Sequence, residues 1–330
     1  MLEQSERLMR LLRGERIFTP PLWEVFFLKF EMCKKFYGDY ENIDNRIALA
    51  KDLGMASIPL RGVNTNVLYA PALEASDGTH HYAGGSSTYI EDFSKRALPD
   101  WTNDIKRLKI EQRKTTEAGL ASVIGLPWCF HTTATSMGLE NFSMKLHDDF
   151  DSVNWVFEEI EKRNRLVIEK VISEVRPDYV LFDGDCAYKT GLMVNPDIFR
   201  KLVFEKTKKT VSCLKGLDIP YTFHSDGNID EVIPLLIELG FSSVHGCEKA
   251  ANDLDHLVEK FGDDIVLVGN MDVVFLTHST IKQITEETLK MLETGSRKGR
   301  YIAACNTGVM EYIPDENYLA MIDAIKTFRR

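Results

Sequence analysis

Tyr221-Thr-Phe-His-Ser-Asp-Gly-Asn228 is a short apolar run that breaks off into a polar cluster. Pro220 precedes it, and an amphipathic run from Ile229 to Leu239 follows at once. A strand that passes directly into a helix through a polar turn is the unit of a parallel α/β protein, and chemistry there gathers at the carboxyl ends of the strands. His224 and Asp226 are two positions apart, so an extended chain points both to one face. Asp226-Gly-Asn228 supplies a sharp turn and a helix start. The same residues also read as a core histidine and a helix cap, so the rest of the chain has to decide.

Outward from this stretch, apolar runs with strand character recur along the chain. Upstream they are Phe18–Val25, Met55–Arg61, Ala121–Trp128 and Asp178–Asp185; downstream they are Ser242–Glu248, Ile265–Asp272 and Tyr301–Asn306. Helical patterns cover 28–53 with a break near Gly38, 102–118, 148–175, 195–214, 229–239, 252–261, 279–294 and 315–328. Eight strands with helical crossovers between most of them predict a (β/α)8 TIM barrel. The competing fold, a doubly wound open sheet, needs a Gly-rich turn after its first strand, whereas this strand runs into Trp23-Glu-Val-Phe-Phe27. No internal repeat or low-complexity linker interrupts the chain, so residues 1–330 are expected to form a single domain with an N-terminal helical extension at 3–13. The stretch 62–100, with Gly78-Thr-His-His-Tyr-Ala-Gly-Gly85, reads as an insertion that covers the barrel mouth as a mobile lid.

Composition excludes several function classes. A net charge of −10 argues against a nucleic-acid footprint, which would need a basic face. No apolar run reaches the roughly 18 residues of a membrane span. Met1-Leu-Glu-Gln-Ser-Glu-Arg7 has acidic residues and no apolar core, so no signal peptide is expected. Cysteines at 33, 129, 186, 213, 247 and 305 show no CxxC spacing, a pattern that fits reduced thiols in the cytoplasm.

A barrel would bring the strand ends to one mouth, among them Glu24, Arg61, His131, Asp183, Asp185, His224, Asp226, His245, Glu248, Asn270, Asp272 and Cys305. Four of these, His224, Asp226, Glu248 and Cys305, form a candidate metal site. Imidazole, carboxylate and thiolate together suit zinc better than magnesium or calcium, which take oxygens. Cys305 also reads as a small buried apolar side chain, and Glu248 as the partner of a nearby lysine. Asp183 and Asp185 share a strand face and are candidates for acid–base work or for holding a polar substrate. Arg61 could hold a carboxylate or serve a structural ion pair.

His224-Ser-Asp-Gly-Asn228, Gly240-Phe-Ser-Ser-Val-His245, Val268-Gly-Asn-Met-Asp272, Pro314-Asp-Glu-Asn317 and the stretch Gly184–Met193 resemble the uroporphyrinogen decarboxylase superfamily. The resemblance implies a (β/α)8 barrel. It implies one of two chemistries: cofactor-free decarboxylation, or corrinoid-linked methyl transfer with zinc and an activated thiol. True decarboxylases resemble one another in an N-terminal Arg-Gln-Ala-Gly-Arg segment and in an aspartate near the end of the second strand. Here those places hold Trp23-Glu-Val-Phe-Phe-Leu-Lys29 and Ile58-Pro-Leu-Arg61. The methyltransferases resemble cobalamin-independent methionine synthase in a His-x-Cys pair, a downstream Glu and a Cys on the last strand. His224, Glu248 and Cys305 match that order, and Asp226 departs from it. The resemblance therefore implies metal-assisted methyl transfer between a small-molecule donor or acceptor and a corrinoid protein or thiol. The alternative is a uroporphyrinogen decarboxylase, or another metal-free decarboxylase or lyase acting on a small acid through Asp183 or Asp185 with Arg61.

Overall fold

The structure, a computed structural model, describes residues 3–67, 72–74, 80–82 and 84–329; for 72–74 and 80–82 it describes the backbone. Among the described residues seven strands form one parallel sheet: β1 (Ser57–Pro59), β2 (Ala121–Pro127), β3 (Tyr179–Asp183), β4 (Tyr221–His224), β5 (Ser243–His245), β6 (Val266–Met271) and β7 (Tyr301–Cys305). Neighbours in the sheet are neighbours in sequence. The register sets Asp183 beside His224, His224 beside His245, and Met271 beside Cys305. The helices between strands start and stop where local chemistry dictates. Asn195 accepts the Asp197 N–H at 2.9 Å and opens the helix Pro196–Gly216, with proline in its first turn. Thr280 and Gln283 form a capping box on Ile281–Gly295. Gly54, at φ +73°, ends Ile43–Leu53.

The sheet is curled, and its two faces bury different residues. Val123, Tyr179, Leu181, Val266, Val268, Ile302 and Ala304 pack with Trp23 and Val25 into one cluster on the concave face. Leu8, Leu11 and Leu12 of the helix Gln4–Leu12 join this cluster, next to Ala56 and Ala121 at the starting ends of strands. Val180, Phe182, Phe223, Val244, Leu267, Tyr301, Ala303 and Cys305 belong to the larger cluster shared with the helix layer. This is the period-two alternation of a strand buried on both sides.

The run expected as a first strand, Phe18–Val25, is not a continuous strand. It makes isolated parallel bridges, with Leu22 paired to Met55 on one side and to Ala303 on the other. Pro20 and Pro21 have no N–H, so a ladder cannot run through them. Ala303 N–H donates to Pro21 O at 2.9 Å, Trp23 N–H to Ala303 O at 3.1 Å, and Ala56 N–H to Leu22 O at 2.7 Å. The helical pattern at 28–53 is two helices, Phe30–Phe36 and Ile43–Leu53, on either side of Gly38 at φ +112°.

The expected lid at 62–100 lies partly outside the described residues, at 68–71, 75–79 and 83. Its described flanks are packed: Tyr89 is buried and donates its hydroxyl to Val67 O at 2.6 Å, and Trp101 Nε1 donates to Asn64 O at 2.8 Å. Among the described residues no helix is long and apolar enough to cross a membrane.

Candidate active site

The carboxyl ends of β3, β4 and β5 build the site. His224 ends β4 on the concave side and is almost fully buried. Its Nδ1 lies 2.7 Å from Nδ1 of His245, the end of β5, and its Nε2 lies 3.9 Å from Asp185 Oδ1. Phe26 stands edge-on to the ring at 4.9 Å between centroids. His245 Nε2 reaches the carbonyl oxygen of Cys305 at 3.0 Å. Burial holds both imidazoles neutral: His224 is pushed down to about 3, by burial first and His131 second, and His245 well below its ordinary value.

Asp185 and Asp226 lie on the turns just beyond β3 and β4. The Asp226 N–H donates to Asp185 Oδ1 at 2.9 Å, which ties the two turns together. Asp185 N–H donates to Nδ1 of His131 at 3.1 Å. His131 sits at the start of the helix Cys129–Met137, which the sequence pattern did not reveal. Gly184 allows that helix its close approach, because a Cβ there would stand 2.8 Å from the His131 Cβ. Thr307 Oγ1 donates to Asp226 Oδ2 at 3.3 Å, and Asp226 Oδ1 is buried with no hydrogen-bond partner. Burial, then the charges of Asp185 and Glu248, push the Asp226 carboxyl up to about 7. Asp183, the last residue of β3, is open to water, though protein surrounds most of it. That crowding raises its carboxyl to about 6, against the opposing pull of His131.

Among the described residues, one group could hold a metal ion. One ligand atom from each of Asp185, His224 and Asp226 lies within 4.8 Å of the others. The structure thus brings His224 and Asp226 together and adds Asp185. Glu248 stands one step out, accepting the Gly227 N–H on Oε2 at 3.2 Å, with Lys189 Nζ 3.8 Å from its Oε1. Cys305 is not brought to the cluster. Its side chain lies in the core shared with the helix layer, on the opposite sheet face from His224. Burial, then Glu24, hold its thiol well above the ordinary range. Glu24 accepts the Cys305 N–H at 3.0 Å and the Tyr318 hydroxyl at 3.3 Å. Arg61 is engaged elsewhere, with Nη2 3.1 Å from Glu41 Oε2 and Nε 3.5 Å from Glu111 Oε1.

Asp226 and Glu248 form one wall of a cavity of about 640 Å³. The remaining lining includes Lys189, Asp272, Asn306, Thr307 and residues of the helix Val273–His278, with Val274 and Phe275 apolar. Residues 88–328 match the model of the family described as uroporphyrinogen decarboxylase (URO-D). The chain belongs to the uroporphyrinogen decarboxylase family. Among curated proteins, this family member is similar to the methylcobamide:CoM methyltransferase MtbA of Methanosarcina acetivorans. The two are 21% identical over 150 residues, which is 45% of this chain and 41% of MtbA, so the match spans less than half of either protein. Among solved structures, a methyltransferase from Methanosarcina mazei superposes with a TM-score of 0.76 at 17% identity, over 99% of both chains. At that identity the likeness speaks for the fold.

Proposed function

We propose that the chain is a methyltransferase that moves a methyl group between a small molecule and a corrinoid carried by a partner protein, or a thiol. On this reading Asp185, His224 and Asp226 hold a divalent metal, zinc by preference. The observation that carries it is the buried, unpartnered Asp226 Oδ1 in a cluster with His224 and Asp185. A buried carboxylate oxygen without a donor is costly, and a cation meets that cost. One imidazole nitrogen and two carboxylate oxygens are zinc ligands, whereas magnesium and calcium favour oxygen alone.

When bound, the metal would supply Lewis acidity to the group that gains or loses the methyl. The chain's own residues do the rest. His224 presents Nε2, since its Nδ1 is taken by His245. The Asp226 N–H holds Asp185 in place. Asp183, near half protonation at pH 6, can take or give a proton at its carboxyl. A cavity of about 640 Å³ accommodates a small substrate, with Val274 and Phe275 as its apolar wall. The lyase alternative gains nothing from Arg61, whose charge is shared by Glu41 and Glu111.

The same reading takes the curled sheet as a closed (β/α)8 barrel, with the doubly bridged segment at Leu22 in the place of an eighth strand. It places the protein in the cytoplasm, in keeping with six unpaired cysteines. The test is element-specific metal content of protein purified without chelator or affinity-tag metal, followed by methyl transfer to or from a corrinoid protein. Zinc near one per chain in wild type and its loss in Asp226→Ala are expected. If zinc-loaded wild type retains no more metal than His224→Ala, the proposal falls.

A further inference from the structure

His245 does not line the cavity and is fully buried, yet it touches the one nitrogen ligand of the cluster. The hydrogen bonds leave little freedom in where the protons sit. The Cys305 carbonyl can only accept, so the His245 nitrogen 3.0 Å from it, Nε2, must carry a hydrogen. A neutral imidazole carries one N–H, so Nδ1 of His245 is then an acceptor. The facing Nδ1 of His224, at 2.7 Å, must therefore donate. Once Nδ1 of His224 bears the hydrogen, its Nε2 is left with a bare lone pair. That nitrogen lies 3.9 Å from Asp185 Oδ1, too far for a hydrogen bond and on the side of the acidic cluster. Both rings are buried, and the neutral state is the one that burial favours.

We infer that His245 is a positioning residue, which fixes His224 as its Nδ1–H tautomer and aims the His224 Nε2 lone pair at Asp185 and Asp226. The chain runs from the Cys305 main-chain carbonyl through His245 to His224, so Cys305 serves the cluster through its backbone. The inference deepens the metal reading proposed above and rests on it for its purpose, though the proton positions can be read without metal. A ligating histidine held by a partner at its other nitrogen keeps its tautomer and orientation, and loss of such a partner costs ~10- to 100-fold in metal affinity.

The first experiment is nitrogen NMR of the metal-free wild type, with ¹⁵N-labelled histidine, at neutral pH. His224 is expected to show a protonated Nδ1 and an unprotonated Nε2, and His245 the reverse. A protonated Nε2 on His224 overturns the inference, whatever the metal does. The second is zinc competition against a chromophoric chelator. His245→Phe keeps the ring volume and removes both hydrogen bonds; it is expected to weaken zinc ~10- to 100-fold. His245→Gln, whose amide both accepts and donates, is expected to recover most of that loss. Wild-type affinity in a folded His245→Phe overturns the inference. Should His245→Phe not fold, the wild-type spectrum and the His245→Gln affinity decide. A wild type that takes up no zinc defeats the metal reading, and the spectrum then still confirms or refutes the tautomer on its own.

Discussion

Replacing Glu24 by Gln should flatten part of the pH dependence of stability. Glu24 is fully buried beneath the last strand, and burial raises its carboxyl to about 7 from 4.5, against the opposing hydrogen bonds from Cys305 and Tyr318. A folded-state value above the unfolded one means that the folded chain binds the proton more tightly. The resulting stabilisation is fully present below pH 4.5 and is lost as pH rises through about 7. The interval from 4.5 to about 7 corresponds to about 3 kcal/mol at ~1.36 kcal/mol per pH unit. Gln cannot titrate, but its carbonyl oxygen still accepts from the Cys305 N–H, and its amide can donate to the Tyr318 hydroxyl. Urea unfolding of both proteins at several pH values between 4.5 and 8 gives the difference in stability, in which titrations common to both cancel. That difference should move by about 3 kcal/mol against the wild type as pH rises. A flat difference across the range refutes the assignment of a raised carboxyl to Glu24.

Three further outcomes follow from the packing. Cys305→Ser should keep the zinc content of wild type, because the cluster uses the Cys305 carbonyl and not its thiol, while Asp226→Ala should lose the metal; elemental analysis of the two variants side by side checks both. Gly184→Ala would put a Cβ 2.8 Å from the His131 Cβ and 3.1 Å from the Trp128 Cβ, an overpacking expected to cost ~1–3 kcal/mol in chemical denaturation. Unchanged stability would show that the helix Cys129–Met137 gives way without strain. Glu111→Ala strands the buried guanidinium of Arg46, which sits 3.4 Å from Glu111, and should cost ~3–5 kcal/mol; a loss under 1 kcal/mol would mean that water reaches Arg46.

Most strands were legible because each is an apolar run bounded by turn residues, and the parallel order followed from the helices between them. Of the elements that were not, two bear most directly on the site. Phe18–Val25 has the apolar content of a strand, but content does not supply the N–H groups that Pro20 and Pro21 lack, so pairing is reduced to single bridges. The helix Cys129–Met137 is rich in threonine, a weak helix former, and is buried on most sides, so neither propensity nor an exposed polar stripe marks it. It carries His131 to the Asp185 N–H, a contact no spacing in the chain suggests.

Within the site, alternation decides what a sequence can and cannot disclose. Thr222 and His224 lie on the face opposite Tyr221 and Phe223, so the concave placement of His224 follows from its own strand, and so does that of His245 beyond Val244. Asp226 and Asp185 lie past the last paired residue, where the period-two rule stops applying; their meeting depends on a backbone hydrogen bond between two turns. Glu248 is likewise three residues past β5, and its carboxylate is turned back to the Gly227 N–H. Cys305 is the opposite case. It lies inside a regular strand, but Tyr301-Ile-Ala-Ala-Cys305 is apolar at every position because both faces are buried. With no polar residue to mark a face, the sequence cannot say which way the thiol points. Only the partition of Ile302 and Ala304 to the concave cluster, and of Tyr301, Ala303 and Cys305 to the helix layer, does so. What Cys305 offers the cluster is then the one group a strand residue presents whichever way its side chain turns, its main-chain carbonyl.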